Sequence, residues 1–292
     1  MNSLTKDINC YLCGSINIIN LDGNVRDDKS IPILKCSDCD LVFLGKKDHI
    51  NKDYYKKDYT EENLGNVEWQ ELINICYHDD IRRSEQLKIL VKNKKYLDVG
   101  CGAGGTLIHL KDKCKQAIGI EPNERWRKEL KIRGVNTFSN IEEVKNNSQD
   151  VISLFHVLEH IAEPINFLKT IKQKAKNKSQ IIIEVPNSDD ALITLYKNKA
   201  FLNFTYWSPH LFYYNEKTLK KLLEKSGFKT EKIVISQFQR YTLSNHLMWL
   251  SNNVPGGHEI WSFLDSPSIN EQYSSKLGSL GKCDTIIAWV TV

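Results

Sequence analysis

The chain has 292 residues, enough for one large domain or two smaller ones with an ample core. Hydrophobic residues make up 41% and charged residues 26%, which are ordinary values for a globular protein. The net charge of +4 arises from 40 basic and 36 acidic residues that are mixed along the chain, so the composition argues against a nucleic-acid partner.

The N-terminal residues lack the apolar stretch of a signal peptide, and no run of 18 apolar residues occurs anywhere. We therefore expect no membrane span and a cytoplasmic location. Eight cysteines in a reducing compartment then need an explanation other than disulfides.

Four of these cysteines form two C-x-x-C pairs, Cys10 with Cys13 and Cys36 with Cys39, separated by 22 residues. Two such pairs complete the tetrahedral thiolate shell that zinc prefers, and the full shell leaves no open position for catalysis. The spacing predicts one structural Zn²⁺ that folds a small N-terminal segment, with Gly14 at a positive φ after the first pair. Two disulfides or redox dithiols are the alternatives.

The segment of residues 1–47 is thus predicted to be a zinc ribbon, with strands near 31–34 and 41–44. Residues 48–93 form a tyrosine-rich connector followed by helical spacing over 67–92. Residues 94–292 form the main domain, in which strands and helices alternate as in a parallel sheet built of βαβ units. The predicted strands are 95–99, 116–120, 135–138, 150–155, 179–185, 230–235 and 285–292, and the predicted helices are 105–114, 123–133, 163–176 and 215–226.

A glycine-rich turn follows the first strand of that domain. Gly100, Gly102 and Gly105 have G-x-G-x-x-G spacing, which lets the backbone approach a bound nucleotide. Asp98 stands at the strand end beside the helix N-terminus, where a carboxylate repels a pyrophosphate. That carboxylate suits a ligand with a cationic amine and no phosphate, such as S-adenosylmethionine. A dinucleotide, and with it an NAD-dependent oxidoreductase, is the remote alternative.

A second acid supports this interpretation. Glu121 ends the next strand, 21 residues beyond Gly100, where an acid can accept hydrogen bonds from both hydroxyls of an adenosine ribose. A glycine turn that only packs a helix on the sheet would leave both acids unexplained.

Three segments carry a resemblance to a known family. Residues 96–104 resemble motif I of the class I S-adenosylmethionine-dependent methyltransferases, residues 119–122 resemble motif II, and residues 150–161 resemble the fourth-strand segment. The branch most similar has an N-terminal zinc ribbon and modifies sugars, surface polysaccharides and secondary metabolites. The resemblance implies an α/β, Rossmann-like sheet of seven strands whose last strand lies antiparallel beside the fifth. We expect residues 236–283, between strands six and seven, to form a small helical cap over the cofactor cleft.

The motifs and the resemblance together predict a set of cofactor contacts. Tyr55 and Tyr59 match a Tyr-x-x-x-Tyr pattern that lines the cofactor or acceptor site in the resembled branch, although these tyrosines could instead pack the ribbon on the main domain. The full set is Asp98, Gly100, Gly102, Gly104, Glu121, Pro122, Asn140, Ile141, Phe155, Tyr55 and Tyr59.

A hydroxyl acceptor would need a general base, for which histidine is well matched at neutral pH. His156 and His160 flank the end of the fourth strand, and His210 lies in an aromatic segment after the fifth; we expect His210 to be the base and His160 the reserve. Glu159 could orient His160 or act alone. Alternatively, neither residue is catalytic: His160 only forms a hydrogen bond to a backbone group at a helix start, and Glu159 is a solvent-exposed acid that interacts favourably with the helix dipole.

The cap contains many hydrogen-bonding groups beside aromatic rings, a combination that suits a sugar. These groups are Gln239, Arg240, Asn245, His246 and His258, next to Tyr241, Trp249 and Trp261. We therefore expect O-methylation of a carbohydrate, a nucleotide-linked sugar or a phosphorylated capsule precursor. Carbon methylation of a keto-sugar and methylation of a quinone-type phenol are alternatives, and His246 could simply be a satisfied histidine on an apolar helix. The expected partner is a small-molecule or sugar-linked acceptor, and no feature predicts an oligomeric state.

Overall fold

The structure, a computed structural model, describes residues 8–50, 54–56 and 67–292. The described strands are β1 (Ile18–Asn20), β2 (Ile33–Cys36), β3 (Val42–Leu44), β4 (Lys95–Val99), β5 (Gln116–Ile120), β6 (Asn136–Phe138), β7 (Gln149–Phe155), β8 (Ala175–Pro186), β9 (Phe212–Tyr213), β10 (Ile233–Phe238) and β11 (Thr285–Thr291). The described α-helices are α1 (Trp69–Leu87), α2 (Gly105–Leu110), α3 (Glu124–Ile132), α4 (Pro164–Lys174), α5 (Ala191–Thr194), α6 (Lys199–Thr205), α7 (Glu216–Lys225), α8 (Leu243–Asn252) and α9 (Pro267–Ser279).

Seven strands form the main sheet, in the order β10-β11-β8-β7-β4-β5-β6. Strands β4 to β8 pair in parallel, whereas β11 lies antiparallel between β8 and β10. The central strands are buried on both faces, as apolar runs in a parallel sheet require. The predicted Rossmann-like α/β sheet, with its last strand antiparallel beside the fifth, is confirmed.

A second, four-stranded sheet joins the N-terminal segment to the main domain. Its order is β1-β2-β3-β9, so β3 of the predicted ribbon pairs with β9, which follows the His210 segment. Leu12 and Phe43 of the ribbon belong to the same hydrophobic core cluster as Leu158 and Leu211. The N-terminal segment therefore supports the chain around His210.

The segment predicted to form the cap, residues 236–283, begins with the last three residues of β10 and contains α8 and α9. It packs against α5 and α6, and none of its residues lines the cleft described below. Trp249 of the cap contacts Phe201, and Leu277 contacts Ala191. These helices bury their apolar residues on each other, which fixes the cap at the β10–β11 side of the sheet.

Within the described residues, no helix has both the length and the apolar character needed to cross a membrane.

Candidate active site

A cleft of about 440 Å³ opens where β4, β5, β6 and β7 end at their carboxyl termini. Ligands of open α/β sheets bind at this edge. Its lining residues are Tyr55, Val99, Gly100, Ile120, Glu121, Pro122, Ser139, Asn140, Ile141, Glu142, His156, Val157, His160, Ile161 and Phe167. Six of the predicted cofactor contacts and two of the predicted catalytic residues are therefore on this surface.

The glycine turn after β4 holds Glu121 in place. The Gly102 amide donates to one oxygen of the Glu121 carboxylate and the Asn123 amide donates to the other, both at 2.8 Å. Gly100 and Gly102 have φ of +70° and +53°, and a side chain at Gly102 would meet no atom within 4 Å. The turn thus fixes an acid at the cleft and leaves open space above its own backbone.

Asp98 lies under this turn, outside the lining of the cleft. It is 4% exposed, and one of its oxygens accepts a hydrogen bond of 2.6 Å from the Ser153 hydroxyl, which is itself 2.7 Å from the Tyr96 hydroxyl. Burial raises the pKa of Asp98 to about 7, even though the Ser153 hydrogen bond acts to lower it. A cationic group placed beside Asp98 would favour its ionised form.

The helix start that would hold a pyrophosphate is already occupied by a side chain. Asp80 of α1 accepts hydrogen bonds from the Thr106 amide at 3.2 Å and from the Thr106 hydroxyl at 2.8 Å. A Cβ added to Gly105 would lie 2.0 Å from an Asp80 carboxylate oxygen. Because this carboxylate caps the N-terminus of α2, a bound phosphate would meet both a steric clash and a like charge.

The far end of the cleft combines apolar walls with a polar rim, as a purine base requires. Asn140 is at the rim, but it also caps a short helical turn, since its side-chain oxygen accepts from the Glu142 amide at 3.1 Å and its amide donates to the Ser139 hydroxyl. Because the same oxygen also accepts from the Glu143 amide in a capping box, the side-chain amide of Asn140 is the group that keeps one further hydrogen-bonding position.

Among the described residues, Gly104 and Phe155 are predicted cofactor contacts that do not line the cleft. A side chain at Gly104 would clash with Leu130 at 2.3 Å, so this glycine serves the packing of α2 on α3. Phe155 packs under the Arg83 guanidinium, 4.7 Å from its ring centre. Tyr59 lies outside the described residues.

His156 is held between two carboxylates. Its Nδ1 lies 3.1 Å from Glu159 and its Nε2 lies 3.4 Å from Glu184, which also pairs with Arg82 and Arg83. Burial acts to lower the pKa of His156, but the hydrogen bonds to Glu159 and Glu184 outweigh burial and raise it. His156 is thereby an ion-paired group, and its backbone adopts a positive φ of 53°.

Glu159, His160 and His210 converge beside the cleft. One ligand atom of each lies within 4.8 Å of the other two, and the rings of His160 and His210 are 4.6 Å apart at an angle of 88°. Glu159 is 1% exposed, so it is not the solvated acid of the structural alternative. Burial lowers the pKa of His160 and lowers that of His210 to about 3.

Tyr55 joins His160 from the connector. Its hydroxyl lies 2.9 Å from Nδ1 of His160, and the carbonyl oxygen of Pro209 lies 3.1 Å from the same nitrogen. Because a carbonyl can only accept, the Pro209 contact indicates that Nδ1 carries the proton. The tyrosine thus lines the cleft and contacts a predicted catalytic residue.

The polar cap residues mostly bond to one another. Gln239 donates to Asp284 at 2.9 Å and contacts His246, whose other ring nitrogen is 2.6 Å from the Tyr273 hydroxyl. Arg240 forms an ion pair with Asp79 of α1. Gln239 and His246 therefore belong to an internal network, as the structural alternative for His246 has it, whereas Arg240 reaches α1 and lies 3.3 Å from Nε2 of the cleft residue His156.

The four cysteines of the N-terminal segment lie together. Sγ of Cys10 is 3.5 Å from Sγ of Cys39, and Sγ of Cys13 is 3.5 Å from Sγ of Cys36. A disulfide would require about 2.05 Å, and all eight cysteines are free. All four sulfurs are within 4.8 Å of one another, a separation suited to one tetrahedral Zn²⁺. Gly14 has a φ of 78°, as predicted.

Several residues of the site were not predicted from the sequence. Val157, Ile161 and Phe167 line the cleft as plain apolar positions without a motif. Asp80 could have been noticed as an acid within the apolar spacing of a predicted helix. Its partner Thr106 is 26 residues away, so the sequence does not indicate their contact. Trp69, whose indole donates to the Ala103 carbonyl in the glycine turn at 3.0 Å, had no signal.

Comparison with known families adds a direct assignment. A family described as a methyltransferase domain matches residues 77–233, more than half of the chain. The chain belongs to this methyltransferase family. It carries a class I S-adenosylmethionine-dependent methyltransferase domain, and the family leaves no place for the oxidoreductase alternative.

One curated relative is a tRNA U34 carboxymethyltransferase of Aliarcobacter butzleri, 24% identical over 172 residues. The match covers 52% of this chain and 54% of the relative, so the methyltransferase spans about half of that protein's length.

Solved structures share the fold. A S-adenosylmethionine-dependent methyltransferase of Archaeoglobus fulgidus has a TM-score of 0.53 and 19% identity, over 80% of this chain and 98% of its own. A methyltransferase of Thermotoga maritima, described as a possible histamine N-methyltransferase, also has a TM-score of 0.53, with 17% identity over 80% of this chain and 97% of its own.

Proposed function

We propose that this methyltransferase binds S-adenosylmethionine in the cleft at the ends of β4 to β7 and transfers its methyl group to an acceptor that enters beside His160. The observation that carries the cofactor assignment is the Asp80 carboxylate on the N-terminus of α2. It removes the phosphate site of a dinucleotide, while Glu121 remains at the cleft for a ribose.

The remaining cofactor contacts follow from the same arrangement. Glu121 would accept from the ribose hydroxyls, and the apolar walls with Asn140 and Ile141 would hold the adenine. Asp98 would pair with the amine of the methionine end near Gly100 and Gly102. The methyl group would then face the His160 side, where an in-line displacement needs an aligned acceptor and the exclusion of water.

For the acceptor, we propose a small hydroxyl compound, and a carbohydrate or nucleotide-linked sugar is the first class to assay. The support for a sugar is weaker than the sequence suggested, because Gln239, Arg240 and His246 already satisfy one another or α1. Asn245 and His258 stay available as cap contacts. A keto-sugar carbon and a quinone-type phenol remain the alternatives.

A tRNA acceptor is the second candidate, favoured by the similarity to the carboxymethyltransferase of Aliarcobacter butzleri. The mild net charge of +4 does not favour it, since tRNA binding depends on a concentrated basic surface. Release of S-adenosylhomocysteine in the presence of nucleotide sugars or of tRNA distinguishes these acceptors.

We also propose that the Cys10, Cys13, Cys36 and Cys39 sulfurs hold one structural Zn²⁺. Because β3 pairs with β9, loss of this ion would disturb the chain around His210 as well as the ribbon. Elemental analysis should find about one zinc in this cluster, lost together with thermal stability in Cys36→Ser. A Cys36→Ser protein without zinc but with unchanged melting would contradict the structural role.

The cofactor assignment is tested by calorimetric titration of the purified protein with S-adenosylhomocysteine and, separately, with NAD⁺. We expect saturable binding of S-adenosylhomocysteine at one site and no binding of NAD⁺. Binding of NAD⁺ without binding of S-adenosylhomocysteine would overturn the proposal.

A further inference from the structure

Three side chains beside the cleft have the composition of a cation site. Glu159, His160 and His210 offer one carboxylate oxygen and two imidazole nitrogens, all within 4.8 Å of one another. Donors bound to one ion at about 2.1 Å are about 3.0 Å apart at a right angle and about 3.4 Å apart in a tetrahedral shell, so side-chain shifts of about 1–2 Å would bring all three onto one ion. The distances therefore allow a shared cation.

One of these donors lacks the hydrogen bond that buried polar groups normally make. Oε2 of Glu159 has no hydrogen-bond partner among the described residues, although the side chain is only 1% exposed. The half-buried His210 ring packs against the rings of His160, Trp207 and Tyr213. A buried carboxylate oxygen without a donor destabilises the fold unless a ligand satisfies it.

In His160 and Glu159, the polar atom that would not bind the cation is fixed by a neighbouring group, as in known metal sites. Nδ1 of His160 faces the Pro209 carbonyl at 3.1 Å, which leaves the lone pair of Nε2 for a ligand. The other oxygen of Glu159 is 3.1 Å from Nδ1 of His156. Histidine and carboxylate ligands of metals are commonly fixed by such outer hydrogen bonds.

We propose that Glu159, His160 and His210 bind a divalent transition-metal cation at the acceptor side of the cleft. Two imidazoles and one carboxylate suit Zn²⁺, Fe²⁺ or Mn²⁺, and three protein ligands leave positions open for an acceptor oxygen. The catalytic part of this inference rests on the proposed methyl transfer, whereas the binding of the cation does not.

The chemistry balances without a further reactant. A cation lowers the pKa of a bound hydroxyl, whose proton passes to water. The acceptor oxygen then forms a bond to the methyl carbon while the carbon–sulfur bond breaks and its electron pair stays on sulfur. The products are the methyl ether, S-adenosylhomocysteine and one proton.

The test uses Co²⁺ added to the full chain after the cysteine cluster has been filled with zinc. We expect one Co²⁺ per chain, with visible ligand-field bands and no thiolate-to-cobalt charge-transfer band, because the ligands are nitrogen and oxygen. His210→Ala and Glu159→Gln should each weaken Co²⁺ binding at least tenfold. His78→Ala, which removes an exposed histidine of α1, should bind Co²⁺ like the wild type.

Two outcomes would overturn the cation site: no Co²⁺ bound beyond the zinc, or equal Co²⁺ binding by wild type and by a His210→Ala protein with a native circular dichroism spectrum. Binding of S-adenosylhomocysteine separates this from the cofactor proposal. His210 does not line the cleft, so His210→Ala should keep that binding. If the wild type bound S-adenosylhomocysteine but no Co²⁺, the cation site would be refuted and the cofactor proposal would stand.

Discussion

The cleft at the ends of β4 to β7 and the cap of residues 236–283 both mix polar side chains with aromatic or apolar ones. In the cleft, Glu121 and Asn140 border about 440 Å³ of open space. In the cap, Gln239 and His246 are buried and bond to Asp284, Tyr273 and each other. A dense set of polar residues therefore indicates a ligand site only where the fold leaves those residues open positions.

This contrast predicts a large loss of stability from removing Asp284, the residue directly after the cap that accepts hydrogen bonds from cap groups. Asp284 accepts hydrogen bonds from the Gln239 side chain, the backbone amides of Arg240 and Tyr241 and the Thr285 hydroxyl. Asp284→Ala leaves these buried donors unpaired, and we expect a loss of about 3 kcal/mol in the free energy of unfolding. Urea denaturation measures the loss, with Glu259→Ala, an exposed cap acid, as the control.

If the cap network is structural, folded Asp284→Ala protein should bind S-adenosylhomocysteine within about twofold of wild type. A much weaker affinity with unchanged stability would show instead that the cap contributes to the ligand site.

A smaller effect is expected for Asp98, which lies under the glycine turn of the cleft, in the pH dependence of ligand affinity. Its pKa of about 7 in the free protein should fall when a ligand amine lies beside it, so binding releases a proton. Affinity for S-adenosylhomocysteine should therefore decrease as the pH falls below 7, by at most about tenfold per pH unit, and should level off above 7. Calorimetry at pH 5.5 to 8 measures this slope.

Asp98→Asn should remove the slope and bind more weakly than wild type above pH 7. A slope that persists in Asp98→Asn would assign the released proton to another group.

The smallest effect is expected at the cap surface. His258 is exposed, unlike His246, so His258→Ala should change the free energy of unfolding by less than about 0.5 kcal/mol. It should also leave affinity for S-adenosylhomocysteine unchanged, because no cap residue lines the cleft. A distinct loss of turnover with a sugar acceptor in His258→Ala would place the acceptor against the cap.

The difference between the two regions also explains which parts were predictable from sequence. The glycine turn and Glu121 are local signals, and parallel strands bring their ends to one edge whatever their order. The paired cysteines are local as well. Partners such as Asp80 with Thr106, or Gln239 with Asp284 45 residues later, depend on how elements pack, and no spacing rule in the sequence encodes them.

The His210 cluster belongs to this second kind. Its histidines were chosen one by one as candidate bases, but the convergence of His210 with Glu159, 51 residues earlier, depends on β9 pairing with the ribbon strand β3. The ribbon and the site are therefore structurally linked in a way that neither motif alone reveals.

The central claim, that Glu121 lies in the cofactor site, is tested most directly by the dissociation constant for S-adenosylhomocysteine in Glu121→Ala. The matched control is Glu124→Ala, which removes an exposed acid of α3 three residues away. We predict at least tenfold weaker binding for Glu121→Ala, about 1.4 kcal/mol or more, and unchanged binding for Glu124→Ala. Wild-type affinity in a folded Glu121→Ala protein would contradict the account.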